Sequence, residues 1–218
     1  MRNNLQDKKV VSAAGKGDLH PLESDRFRRQ VEFIVEIDKL KHTLRQTILM
    51  DRSRQENAAE HSWHIALAVL ILAEYAQEPN LDFLQVLKML MVHDLVEIDA
   101  GDTYCYDRQG VMDQAQREKQ AAERIFNLLP SDQAQTLRDL WEEFEARRTL
   151  ESRFANALDR FLPFLHNYFT EGQSWREHGV KSSQVKARMQ PVADGARFLG
   201  KYVAGLIDEA VAKGYLSE

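Results

Sequence analysis

The chain has a single cysteine, Cys105, in 218 residues, so no intrachain disulfide forms and no cluster of thiolates holds zinc. Any metal must be held by imidazole and carboxylate. Long apolar runs are missing as well. None approaches the ~18–20 residues that cross a bilayer, and charge interrupts each candidate, as Lys88 and His93 do within Leu81–Ile98. A basic surplus is also lacking: 29 Lys and Arg stand against 34 Asp and Glu, a net charge of −5. That argues against a nucleic-acid polymer as partner, because its phosphates must be neutralised by excess positive charge. It leaves room for a small phosphate ester, whose charge a metal and one or two local cations can meet. No segment alternates with the period of a strand, and no repeat or low-complexity block is visible. The opening Met-Arg-Asn-Asn-Leu-Gln-Asp-Lys-Lys has no apolar core of a secretion signal, so the expected address is cytoplasmic, without a membrane partner.

What is present is an ordinary globular composition, 44% hydrophobic and 29% charged, in a length that suits one sizeable core. Residues 1–23 carry few large apolar side chains and read as a mobile tail. From Ser24, a capping residue, Phe27, Val31, Ile34, Val35 and Leu40 recur near helical spacing. Thr43–Asn57 is polar and rich in arginine and reads as an irregular connection. Helices are expected over Ala58–Gln77, ended by Pro79, and over Leu81–Ile98, ended by Ala100-Gly101-Asp102. The first has apolar residues nearly all round, which suggests a central helix. Four more follow at Asp113–Leu129, Ser131–Arg147, Leu150–Glu171 and Ser183–Lys213. The fold class is all-α.

Inside this apolar framework stand polar residues that need an explanation. His93 and Asp94 are adjacent in the stretch Val86–Val96, and burying a carboxylate there costs several kcal/mol, roughly, unless a partner or a metal compensates. His61 shares a helical stripe with Ile65 and Leu72, and Asp159 sits among Phe154, Leu158 and Leu162. Any one of these is commonly a hydrogen-bonded core group. Four ligand-type residues on inward faces of separate helices point instead to one metal shell of His61, His93, Asp94 and Asp159. Two imidazoles and two carboxylates suit Mn²⁺, Co²⁺, Zn²⁺ or Fe²⁺ better than Mg²⁺ or Ca²⁺, which prefer all-oxygen shells. Glu97, i+4 from His93, and Asp102 are then free to act on a water or a leaving oxygen. His64, three residues past His61, reads as a supporting or packing residue. The charged run Gln114–Glu123 reads as solvated surface, and Trp141 and Trp175 as core or dimer contacts.

The first His, the His-Asp pair and the distant Asp resemble the HD-domain metal-dependent phosphohydrolases. More narrowly, Glu56-Asn57-Ala58-Ala59-Glu60-His61-Ser62, His93-Asp94-Leu95-Val96-Glu97 and Gly101-Asp102 are similar to the branch that includes 5′-deoxynucleotidases. The resemblance spans about residues 27–200. It implies a single helical domain over 24–218 around one buried divalent ion, hydrolysing a (deoxy)ribonucleoside 5′-monophosphate, with His61, His93, Asp94 and Asp159 as ligands and Glu97 and Asp102 as catalytic carboxylates. It also implies a homodimer. Bacterial members of that branch carry an Arg-Trp pair upstream of the first His, where this chain has Gln46-Thr47 with Arg45 one position earlier. Arg45 and Arg54 are the candidate substrate contacts, since a guanidinium fork matches phosphate. No His lies between His93 and His166, which disfavours the two-metal cyclic-nucleotide phosphodiesterases of the superfamily. Nucleoside-polyphosphate hydrolysis remains an alternative on the same ligands, as does a helical interaction module with a structural metal.

Overall fold

A computed structural model describes residues 24–218 except 79 and 108; the tail expected over residues 1–23 lies outside the described residues. Ten helices are described: α1 (Asp25–Ile37), α2 (Ala58–Leu72), α3 (Phe83–Val92), α4 (Glu97–Ala100), α5 (Gln114–Phe126), α6 (Ser131–Ala146), α7 (Leu150–Phe169), α8 (Gln173–Glu177), α9 (Ser182–Gly195) and α10 (Arg197–Ala212). The all-α expectation holds, with one small addition.

That addition lies in Thr43–Asn57, which is not irregular. It contains an antiparallel hairpin of β1 (Leu44–Ile48) and β2 (Gln55–Asn57), pairing Leu44 with Asn57 and Ile48 with Gln55. Its strands are short and polar, so no apolar alternation announces them. The turn is built locally: Asp51 Oδ1 accepts from the Ser53 backbone N–H at 2.9 Å, and Arg52 takes a left-handed φ of 64°. The hairpin leads straight into α2 through a capping box, in which Asn57 accepts from the Glu60 N–H at 2.9 Å and Glu60 accepts from the Asn57 N–H.

α7 is the central element. Thr149 caps it, and it packs on α2, α3, α6, α9 and α10, with Phe154, Ala155, Leu158 and Phe164 buried. Trp141 of α6 and Trp175 of α8 are also in the core. The last expected helix is two, bent at Ala196, where φ of −153° departs from helix. α9 and α10 then pack closely against each other: a Cβ on Gly200 would lie 2.5 Å from Cα of Ala193.

Two expected inward faces point outward. In α1, Phe27, Val31, Ile34 and Val35 are exposed, whereas the opposite stripe faces the body: Arg26 pairs with Asp132, Arg29 donates to the carbonyls of Asn127 and Leu128, Gln30 bonds Gln133, and Phe33 is buried. Directional bonds to the α5–α6 junction thus decide its rotation. α2 is not enclosed all round either, since Trp63, Leu67, Leu70 and Ile71 form an exposed stripe opposite His61, Ile65 and Val69.

Candidate metal centre

The helix expected over Leu81–Ile98 breaks at the pair that matters. After Val92 the backbone tightens into a 3₁₀ turn, His93–Val96, before resuming as α4, which ends at Gly101 with φ of 74°. The turn places His93, Asp94 and Glu97 together in the interior, each under one-tenth exposed. His93 Nδ1 donates to the Leu90 carbonyl at 2.9 Å, which leaves Nε2 facing Asp94 Oδ1 at 2.9 Å and Asp159 Oδ1 at 3.6 Å. From α2, His61 brings Nε2 to 3.1 Å from the same Asp159 oxygen, supplied by α7. Ligand atoms of His61, His93 and Asp94 lie within 4.8 Å of one another.

Two fully buried imidazole edges facing two carboxylates demand positive charge between them. Burial alone would push the His93 imidazole down, but Asp94 and Asp159 outweigh it and hold it well above its usual range. Asp159 is carried well below the usual carboxylate range, because His61 and His93 overcome its burial. The acids therefore call for a proton or a cation at this point, and His93 Nε2 has no hydrogen-bond partner. The donor set fits a divalent transition ion.

Glu97 and Asp102 flank the cluster. Burial, reinforced by Asp94, holds the Glu97 carboxyl well above the usual range, and Glu97 Oε2 is without a hydrogen-bond partner. Burial likewise raises Asp102, against the pull of Arg45. Arg45, on β1, enters the same space: its Nη1 donates to Asp94 Oδ2 at 2.9 Å and stands 3.9 Å from Asp102, while its Nε is 3.6 Å from Glu56. Arg45, Asp94, Glu97 and Asp102 open onto a cavity of about 400 Å³, large enough for a nucleotide-sized ligand. Arg54 is not brought there. It sits on the surface, paired with Glu60 at 2.6 Å, and does not line the cavity.

Several cavity residues were not singled out from sequence. Arg147, Arg160 and Arg188 line the wall with Asn156 and Asn167, and Gln114 and Glu118 come from the run read as solvated surface. Arg160 is buried and its Nη1 donates to Asn156 Oδ1 at 2.8 Å; burial brings its pKa down to about 10. Glu56 and His166 are buried behind His61, with Glu56 Oε2 3.5 Å from His61 Nδ1. The apolar neighbours of Arg160 and His166 gave the only signal, a polar residue on an otherwise buried helical stripe.

A family model described as HD domain matches residues 37–198. The human 5′-deoxynucleotidase HDDC2 is 26% identical over 134 residues, 61% of this chain and 64% of that protein. Its Dictyostelium discoideum counterpart is 28% identical over 180 residues, 79% of this chain and 89% of the relative. The chain thus spans just under two thirds of the human relative's length. Among solved structures, a predicted metal-dependent phosphohydrolase from Magnetospirillum magnetotacticum MS-1 is 51% identical, superposes with a TM-score of 0.85, and covers 88% of this chain and 96% of its own. A conserved hypothetical protein from Pyrococcus furiosus, 22% identical with a TM-score of 0.56, shares the fold. With three quarters of its length under the family model and half of its aligned residues shared with that bacterial structure, the chain belongs to the HD domain family.

Proposed function

We propose that this protein is a metal-dependent phosphohydrolase that removes the 5′-phosphate of (deoxy)ribonucleoside monophosphates. The observation that carries the reading is the convergence of His93, Asp94 and Asp159 at the wall of a cavity that also holds Glu97, Asp102 and Arg45, with His61 buried just behind, 3.1 Å from Asp159. The relatives described as a 5′-deoxynucleotidase and as a predicted metal-dependent phosphohydrolase agree with it.

His61, His93, Asp94 and Asp159 would hold one Mn²⁺, Co²⁺, Zn²⁺ or Fe²⁺. When bound, such an ion supplies Lewis acidity toward a phosphoryl oxygen and lowers the pKa of water. Glu97 and Asp102, beside the ligands, take the proton from the attacking water and return one to the leaving 5′-oxygen as the P–O ester bond breaks. Arg45 balances the acids and reaches toward the phosphate, and Arg160 with Arg188 lines the wall where the rest of the substrate lies. The homodimer is part of the same proposal, with the outward stripes of α1 and α2 as the face that a second copy covers.

The test is phosphate release from ribo- and deoxyribonucleoside mono-, di- and triphosphates after metal stripping and re-addition of Mn²⁺, Co²⁺, Zn²⁺, Fe²⁺ or Mg²⁺. Release from 5′-monophosphates with a transition ion is expected. Release from polyphosphates alone would replace the monophosphatase reading, and no release from any folded, metal-loaded sample would leave a structural metal module.

A further inference from the structure

A second group of metal-ligating side chains lies behind His61. Glu56 at the end of the hairpin, His64 of α2 and His166 of α7 each offer one ligand atom, all within 4.8 Å of one another. Glu56 and His166 are 1% and 3% exposed, which removes solvent as their partner. His166 Nδ1 has no hydrogen-bond partner and is aimed at Glu56 Oε1, 3.9 Å away, too far for a direct bond. The His64 and His166 rings lie 5.8 Å apart, tilted by 41°. His64 is half-buried, so the group has a route to solvent beside the exposed Trp63. Arg45 supplies some positive charge to Glu56 but is shared with Asp94 and Asp102, its nearest partner being Asp94.

We propose that Glu56, His64 and His166 bind a second divalent transition ion of the zinc type, at a site separate from the His61–His93–Asp94–Asp159 centre. Two imidazoles and one carboxylate are a common donor set for zinc and leave a position for water, here on the His64 side. The two carboxylate oxygens of Glu56 divide the work. Oε1, turned toward His166, meets the ion, while Oε2 remains 3.5 Å from His61 Nδ1 and 3.6 Å from Arg45 Nε, with no hydrogen-bond partner on either Oε2 or His61 Nδ1. An ion at this site fixes the Glu56 carboxylate and through it the orientation of His61, which makes Glu56 a positioning residue. The inference does not depend on the substrate reading, because it concerns metal content alone.

The experiment is zinc stoichiometry by elemental analysis of the full chain, stripped, reloaded with Zn²⁺ and dialysed against a weak competing chelator. Two equivalents per chain are expected for the unaltered protein, one for Asp94→Ala, one for His64→Gln, one for His166→Gln, and none for Asp94→Ala combined with His64→Gln. His64 is half-buried, so His64→Gln keeps the test decisive if His166→Gln fails to fold; circular dichroism checks each variant. One equivalent that Asp94→Ala abolishes would overturn the proposal, as would two equivalents retained by both histidine variants. One equivalent lost only in the histidine variants would support this site while removing the metal from the first.

Discussion

In the proposed function Asp94 holds the metal and Glu97, three residues on, moves a proton, and substitution separates these duties. Asp94→Ala removes a ligand and is expected to lose the metal and the activity together, read by elemental analysis and phosphate release. Glu97→Gln keeps the side-chain volume and the four ligands, so metal content stays while turnover falls ~10²–10⁴-fold, the usual loss for one positioned acid or base. Equal loss of metal in both would make Glu97 a ligand. The two arginines read from sequence also part company. Arg45→Ala removes the guanidinium beside Glu56 and Asp94 and is expected to raise KM in the loaded enzyme and, in the metal-stripped protein where no ion meets these carboxylates, to cost about 3–5 kcal/mol of stability. Arg54→Ala loses only an exposed pair screened by solvent, and leaves both the melt and KM nearly unchanged. Thermal melts beside steady-state kinetics distinguish them; a raised KM in Arg54→Ala would put that arginine back at the substrate.

At the scale of elements, positions where helices meet closely are those with least tolerance. Gly195 ends α9 against α7: a Cβ there would lie 2.4 Å from the Arg153 carbonyl oxygen and 2.8 Å from Cβ of Ala157. Gly195→Ala must push the helices apart, and overpacking of that kind costs about 1–3 kcal/mol. The melting temperature should fall ~2–4 °C per kcal/mol for a chain of this size; an unchanged melt would mean that α9 shifts freely. Helix existence and several ends were legible here, through Ser24 and the break at Gly101, whereas α2 stops at Leu72, short of the expected Gln77, because its last residues tighten into a 3₁₀ turn over Ala73–Tyr75. The hairpin was not, because its turn and pairing rest on backbone bonds and one Asx turn rather than on apolar alternation. Nor was the 3₁₀ turn at His93, since an i,i+4 pattern reads the same through a tightened turn.

For the whole molecule, the open question of assembly rests on the faces left uncovered. Val31, Ile34 and Val35 on α1 and Leu67, Leu70 and Ile71 on α2 are large, apolar and exposed. A second copy burying the α2 stripe would make Leu70→Glu with Ile71→Glu monomeric, checked by sedimentation at several concentrations. A dimer that persists unchanged would move the interface elsewhere. The chemistry-bearing residues were readable because a His or Asp on an apolar stripe violates the burial rule in any helical fold. Which helices faced each other, and hence which oxygen met which nitrogen, was not.

Taken by itself, the order of residues determined that the chain is helical, that imidazole and carboxylate are the groups it offers a metal, and that His61, His93, Asp94 and Asp159 are the candidates. Helical period and side-chain chemistry are local properties, written within a few turns. Only the tertiary structure decided that α1 turns its polar stripe inward, that Arg45 joins the site while Arg54 stays with Glu60, and that Glu56 and His166 stand behind His61. Those outcomes depend on contacts between residues up to about a hundred positions apart, and no local pattern carries the geometry of such a meeting.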